Sequence, residues 1–212
     1  MPPPFAGRLL SLFPDVFSTL LLAYEKTGFV DKVVHRSKTV GGTVFAPSNS
    51  AFRRLGPRAN AFLFNTPRGL KCLEVLLRYQ IAPNVTLYSD AEYEAPEAAD
   101  GEGEGTEKPR SGEHFELKTL LEGKSVSVDV RKWHGIITGM TVNKWVHVRV
   151  QDGVAKNAVV HIVDRVPIPP HKHKKAEEAD EETGEMSPEE LEERLAPYID
   201  DEVDESGWTG EL

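Results

Sequence analysis

Residues able to do covalent chemistry are few in this chain, and their surroundings do not favour it. Cys72 is the one cysteine. Leu70, Leu73 and Leu76 place it on an apolar helical stripe, which favours a buried thiol over a reactive thiolate. The sequence contains no nucleophile elbow, zinc-binding helix or phosphate-loop pattern. Residues 101–105 alternate glycine with glutamate, and these carboxylates would repel phosphate. We therefore expect no enzymatic activity and no cofactor.

Candidate metal ligands are equally sparse. A single cysteine excludes a disulfide within the chain and any multi-cysteine zinc site. His171 and His173 are spaced for weak binding of a divalent cation, but no third histidine lies nearby. We interpret the pair as part of a solvated tail rather than as ligands of a metal site. We predict no metal.

Charge is distributed unevenly along the 212 residues, whose formal net charge is −9. Residues 171–212 hold 16 acidic and 4 basic residues, residues 90–113 hold 9 acidic and 2 basic residues, and the remainder carries a net +10. The bases of this remainder are mostly dispersed, and no stacking platform with several interleaved aromatic residues is evident, although Trp133 lies beside Arg131 and Lys132. This pattern argues against nucleic-acid binding and favours an anionic polysaccharide as the partner of the basic body.

The elements that must position any site begin with helices. Pro14, Ser48 and the pair Thr66–Pro67 are helix-start signals that precede apolar stripes, and Gly28 is a stop signal. We predict helices at 14–24, 49–55 and 67–78 and a short strand at 43–46. No apolar run approaches the roughly 20 residues that cross a bilayer, so we expect no transmembrane segment.

From Phe115 onward the apolar period changes to two, which is typical of strands. Alternating valines mark two further strands, at 126–130 and 146–150. Residues 158–164 are apolar on both faces and fit a central strand. Helices followed by strands predict an α+β fold in one domain, residues 1–170.

Two acidic segments are expected to lie outside the core. Residues 90–113 bury too little apolar surface to be ordered, which predicts a mobile surface loop. Residues 171–212 are predicted to form a mostly disordered tail. Pro188–Ala196 has the capping pattern of a helical turn or two, but Leu191 and Leu195 offer too little apolar surface to hold it in place.

Three segments resemble the signatures of the fasciclin domain family. Residues 43–52 read TVFAPSNSAF, residues 157–169 read NAVVHIVDRVPIP, and residues 76–81 lie where the family has a Leu-x-Tyr-His-Val segment. The resemblance covers about residues 8–169. Within the family, the chain resembles fungal-type secreted members. It implies a wedge of β-strands flanked by helices. The implied structural signature comprises Thr43, Phe45, Pro47, Ser48, Asn49, Phe52, His161 and Asp164.

The resemblance also implies two places for partner binding. Animal relatives use a Tyr-His pair, which here reads Tyr79–Gln80, and an Asp-Ile pentapeptide, which here reads as residues 150–154 with Asp152 and Val154. Core packing of Tyr79 and an Asp-Gly β-turn at Asp152 are the alternative interpretations.

One sequence signal bears on the cellular compartment. Asn84 begins the single Asn-x-Ser/Thr sequon whose middle residue is not proline, and it is a candidate glycosylation site. Residues 1–5 show no signal peptide, which a fragment of a longer precursor would explain. The resemblance implies an extracellular or cell-surface location.

The sequence therefore predicts a non-enzymatic adhesion or surface-interaction module. Its expected partner is a cell-surface or matrix protein or an anionic polysaccharide, and we expect a monomer. The alternative function is a binding domain for a small apolar or lipid-like ligand in a cleft between helices and sheet.

Overall fold

The computed structural model describes residues 5–30, 41–88, 112–133, 136–170 and 186–199. In chain order, the helices are α1 Ala6–Ser11, α2 Pro14–Thr27, α3 Asn49–Arg53, α4 Pro57–Asn65, α5 Pro67–Tyr79 and α6 Pro188–Ile199. The strands are β1 Gly42–Pro47, β2 Ile81–Pro83, β3 Gly112–Lys118, β4 Ser125–Trp133, β5 Ile136–Val142, β6 Val146–Val154 and β7 Val159–Val163. The predicted α+β wedge flanked by helices is confirmed.

The sheet brings the two ends of the domain together. Its order is β2-β1-β7-β6-β5-β4-β3. The parallel pair β1–β7 lies inside the sheet, whereas the other pairs are antiparallel. Both strands are almost fully buried, as expected for a parallel pair covered on both faces. Two of the sequence signatures therefore meet side by side in the core.

Helices α2, α3 and α5 begin where the sequence predicts them. Pro14 lies at the first position of α2, which ends at Thr27 with Gly28 as its C-cap. Thr66 caps α5 by accepting a hydrogen bond from the Gly69 amide at 2.9 Å. A Cβ at Gly69 would lie 1.9 Å from the Phe62 carbonyl oxygen. Glycine is therefore required where α4 and α5 approach each other.

Helix α6 is attached more firmly than its sequence predicts. Leu191, Leu195 and Ile199 are 0%, 0% and 3% exposed, and the helix packs against α5 and α4. The expectation that its apolar surface is too small to hold it is wrong, because Ile199 extends the stripe by another turn. An ion pair between Arg68 and Glu192 at 3.1 Å adds a polar contact. The rest of the predicted tail lies outside the described residues.

Other elements also differ from the sequence prediction in their boundaries or in their presence. Strand β3 begins at Gly112, so the last two residues of the predicted 90–113 loop are strand, and most of that loop lies outside the described residues. Helices α1 and α4 and strands β2 and β5 were not predicted. No helix of the described residues has the length and apolarity needed to cross a membrane.

Candidate interaction surface

Residues of the first signature hold the core together. The hydroxyl of fully buried Thr43 donates to the Val85 carbonyl at 2.8 Å and accepts from the Leu87 amide at 2.9 Å. This hydroxyl fastens the segment after β2 onto β1. Phe45, also buried, stacks on the His161 ring with the centroids 5.7 Å apart. Both side chains are structural, since neither reaches solvent.

The turn after β1 connects α3 with α2. Pro47 is a buried partner of Val163 in the parallel ladder. The Ser48 hydroxyl accepts from the Ala51 amide at 3.3 Å and so caps α3. The Asn49 side chain accepts from the Thr19 amide at 2.9 Å and donates to the Asp15 carbonyl at 3.0 Å.

Phe52 completes this part of the core. Its ring lies edge-on to Phe64 with the centroids 6.0 Å apart, and Phe52 is 2% exposed. The turn residues and Phe52 thus fix how α2, α3 and α4 meet.

His161 is fully buried between two backbone partners. Its Nδ1 accepts from the Asp152 amide at 3.3 Å, and its Nε2 lies 2.8 Å from the Leu87 carbonyl. A ring with one acceptor and one donor nitrogen is neutral. Burial lowers the pKa of His161 below its usual value, although the Leu87 carbonyl and the Asp152 carboxylate act in the opposite direction. This histidine secures the 150–154 segment to the core and is not placed to act as a base.

Asp164 receives three polar partners at the exit of β7. Its carboxylate accepts from the His147 amide and from Arg149, both at 2.9 Å, and from Arg54 at 3.2 Å. Burial alone would raise the pKa of Asp164, but these hydrogen bonds and the charge of Arg149 outweigh it and lower the pKa. The aspartate therefore stays ionised and joins α3, β6 and β7.

The first candidate binding pair, Tyr79 and Gln80, lies inside the molecule. The two residues are 0% and 1% exposed. The Tyr79 hydroxyl donates to the Ser125 carbonyl at 3.1 Å and accepts from the Asn143 side chain at 2.9 Å. Burial raises the pKa of Tyr79 to about 12. A partner cannot touch either side chain while the domain is folded as described.

The second candidate segment, residues 150–154, lies on the surface. Val150 and Val154 are 52% and 51% exposed. The interpretation of Asp152 as part of a β-turn is wrong. Asp152 lies within β6, at an irregularity of the β6–β7 register, with φ +58°. Such bulges re-aim neighbouring side chains.

This segment also has an open edge. Within the described residues, β6 pairs with β5 only through Val146 and His147, and from Val148 to Val154 it pairs with β7 alone. Unpaired strand edges flanked by exposed side chains are places where a second chain can add a strand.

An apolar cleft adjoins the 150–154 segment. It has a volume of about 360 Å³ and lies between the α1–α2 hairpin and the strands β6 and β7. Its base is buried, with Leu10, Phe17 and Val160 at most 3% exposed, whereas Phe13 and Val150 at its rim are about half exposed. The lining residues are Leu9, Leu10, Phe13, Val16, Phe17, Val150, Gly153, Val160 and Ile162.

The sequence predicts a cleft between helices and sheet but not the residues that line it, because its two walls are more than 130 residues apart in the chain. Sequence reasoning also treated Val150 as the third member of an inward alternation. The register shift between Val148 and Val150 instead places Val150 opposite Ile162, on the face that lines the cleft.

The remaining sequence candidates behave as follows. Cys72 is fully buried, and burial raises the pKa of its thiol to about 11. Among the residues that the structure describes, no three His, Cys, Asp or Glu side chains are grouped to hold a metal. Asn84 is exposed, with φ +62°, directly after β2. His171 and His173 lie outside the described residues.

Comparison with known proteins agrees with this architecture. Residues 15–169 match the family model of the fasciclin domain. The chain therefore belongs to the fasciclin domain family, whose members generally mediate adhesion or interaction and are generally non-enzymatic. Fasciclin domains are typically extracellular or on the cell surface.

Two similar proteins illustrate the family. Over 216 residues the chain is 29% identical to Aurofusarin biosynthesis cluster protein S of Gibberella zeae, covering 94% of this chain and 52% of that protein. The chain thus spans about half the length of that relative. The solved FAS1 domain pair of the insect cell adhesion molecule fasciclin I matches with a TM-score of 0.55 at 16% identity, over 79% of this chain and 51% of that one. This structural match supports the fold alone.

Proposed function

We propose that this chain is a non-enzymatic extracellular or cell-surface interaction module whose contact surface is residues 150–154 together with the adjacent open edge of β6. The observation that carries the proposal is the exposure of Val150 and Val154 on β6, which from Val148 to Val154 forms ladder pairs with β7 alone within the described residues. Family membership supports the class of function. The partner is a cell-surface or matrix protein that contacts the two valines and pairs with the strand edge.

Anchoring of the surface also supports the proposal. The Asp152 amide donates to buried His161, and Gly153 allows β6 to approach β7 closely, since a Cβ there would lie 2.9 Å from the Val160 carbonyl oxygen. A rigid, exposed segment loses little conformational freedom on binding, which favours affinity.

A cell-adhesion assay tests this proposal directly. Surfaces coated with the wild-type chain or with the double variant Val150→Glu/Val154→Glu would be exposed to cells of the source organism under flow. We expect the double variant to lose most of the adhesion, because two carboxylates would have to be desolvated in the contact.

Leu22→Glu is the matched control. Leu22 is 41% exposed on α2 and does not line the cleft, so the variant introduces one carboxylate, against two in the double variant, outside the proposed surface. Equal adhesion of the wild-type chain and the double variant would overturn the proposal. An equal loss in the Leu22→Glu variant would attribute the effect to charge alone and would also overturn it.

A second candidate function is the binding of a small apolar ligand in the cleft. Its volume of about 360 Å³ falls at the lower end of the range of ligand pockets, and every lining residue is apolar or glycine. The relative from Gibberella zeae is named for a biosynthesis cluster, which fits a small-molecule context. An uncharged, largely apolar molecule matches this lining.

Filling the cleft tests this second function. Val16→Trp places an indole within the cleft, whereas Leu22→Trp adds the same ring on the outer part of the same helix. We expect Nile red to bind the wild-type chain and Leu22→Trp alike, and to lose fluorescence with Val16→Trp. Unchanged fluorescence in Val16→Trp would exclude the cleft as the binding site.

A further inference from the structure

Two arginines converge on one buried carboxylate at the surface of the sheet. Arg149 of β6 and Arg54 after α3 contact the same Asp164 oxygen, at 2.9 Å and 3.2 Å. The Asp164 side chain is 7% exposed, whereas those of Arg54 and Arg149 are 47% and 62% exposed. The aspartate therefore orients both guanidinium groups from below, and their outer N–H donors face solvent.

Charge at this cluster is not balanced. One carboxylate neutralises one of the two guanidinium groups, and its other oxygen is already taken by the His147 amide. A planar guanidinium presents donors in a fixed fork that matches the two oxygens of a carboxylate or sulfate. The pair is thus pre-oriented for one further anionic group.

The same strand carries other exposed groups in line with the arginine. Exposure alternates along the start of β6, where Val146 and Val148 are buried and His147 and Arg149 are exposed. Trp145, in the turn immediately before, is 41% exposed. Trp145 and Arg149 are four positions apart, and extended chain of that length spans about 13 Å, which exceeds the length of a single sugar ring.

We propose that this strip, defined by Trp145, His147, Arg149 and Arg54, binds an acidic polysaccharide. The indole supplies a flat apolar face for the C–H surface of a sugar ring, and the arginine pair receives the carboxylate or sulfate of a neighbouring sugar. A nucleic acid would need several stacking aromatics along the strip, and Trp145 supplies one. The inference goes beyond the proposed function, because it uses residues outside the 150–154 contact surface.

Titration calorimetry on the full chain tests the assignment. The probes are polygalacturonate fragments, which carry carboxylates alone, and heparin-derived oligosaccharides, which add sulfates. Neutral maltodextrin is the uncharged comparison. We expect the wild-type chain to bind at least one acidic probe with an affinity that falls as salt rises, and to ignore maltodextrin.

Variants assign the binding to the strip. Arg149→Ala should weaken binding about tenfold, since it removes a charge-assisted hydrogen bond. Arg58→Ala removes an exposed arginine from α4 and should leave the affinity unchanged. Trp145→Ala should weaken binding several-fold, and Arg149→Lys should restore only part of the loss because it keeps the charge and not the fork.

Thermal unfolding of each variant shows whether it is folded. If Arg149→Ala does not fold, Trp145→Ala and Arg149→Lys carry the test, since both keep a cation beside Asp164. The proposal is overturned if no acidic probe binds, if Arg58→Ala weakens binding as much as Arg149→Ala, or if polyglutamate or single-stranded DNA binds as tightly as the oligosaccharides. Val150→Gln/Val154→Gln makes the 150–154 surface polar without adding charge beside Arg149 and should bind the probes normally, which separates this result from the adhesion result.

Discussion

Tyr79–Gln80 and residues 150–154 occupy the two segments that the sequence nominates for partner binding, and their environments are opposite. Tyr79 and Gln80 are at most 1% exposed, whereas Val150 and Val154 are about half exposed. The Tyr79 hydroxyl donates one hydrogen bond and accepts another inside the protein. A motif therefore identifies a position in the fold, and accessibility decides whether that position can meet a partner.

The two segments are nevertheless coupled. His161, buried in β7, accepts a hydrogen bond from the Asp152 amide and stacks on Phe45. The exposed segment is thus held by the same core to which the signature residues belong. Substitutions at Tyr79 should therefore change the free energy of unfolding much more than substitutions at Val150 or Val154. Protonation of His161, which contacts both the core and the 150–154 segment, should also destabilise the domain.

Truncating Tyr79 should have the largest effect. Tyr79→Ala removes a fully buried aromatic ring and should lower the free energy of unfolding by roughly 3–5 kcal/mol, the range for buried aromatic truncations. Denaturant unfolding followed by circular dichroism gives the value. Val154→Ala, the control at an exposed site, should change it by no more than about 0.5 kcal/mol. Similar values for both variants would contradict the buried placement of Tyr79.

Removing only the Tyr79 hydroxyl should have a smaller effect. Tyr79→Phe keeps the ring but leaves the Asn143 amide and the Ser125 carbonyl without this partner, which should cost about 1–3 kcal/mol. The same unfolding assay applies. An unchanged or higher free energy of unfolding would mean that these two groups find other partners. The hydroxyl would then not be needed for stability.

Acid should destabilise the domain gradually through His161. Its folded pKa lies below the usual value of 6.5, so the neutral-ring contribution is fully present above about pH 6.5 and is lost as the pH falls towards the folded pKa. For one proton the slope is at most about 1.4 kcal/mol per pH unit. Unfolding between pH 7 and pH 5 should show this slope in the wild-type chain and in His147→Gln, and a reduced slope in His161→Gln. A slope unaffected by His161→Gln would assign the acid sensitivity to other groups.

Charging the exposed segment should have the smallest effect on stability. Val150→Glu should change the free energy of unfolding by no more than about 0.5 kcal/mol, because its side chain is half in water already. A loss of several kcal/mol would show that Val150 is a core residue and would remove it from the candidate surface. Denaturant unfolding measures this, with Leu22→Glu beside it.

Much of the fold is predictable from local signals. Ser48 and Thr66 cap helices as their residue types predict, and alternating valines locate β4 and most of β6. Local patterns work here because capping and alternation depend on neighbouring residues.

Other features depend on contacts that no local pattern encodes. Helix α6 is held by three apolar residues whose partners on α5 and α4 lie more than 100 residues earlier. The orientation of Val150 depends on the register shift between β6 and β7, and a shift of one residue reverses the faces of a strand. The cleft and the arginine pair likewise arise only when distant segments meet.

Adhesion of Tyr79→Phe and Val154→Glu, compared on coated surfaces at equal amounts of folded protein, tests the central claim most directly. The claim is that the 150–154 segment contacts the partner and that Tyr79–Gln80 does not. We predict that Val154→Glu loses most of the adhesion with little change in stability, and that Tyr79→Phe keeps adhesion despite its lower stability. Retained adhesion in Val154→Glu together with its loss in Tyr79→Phe would contradict the account.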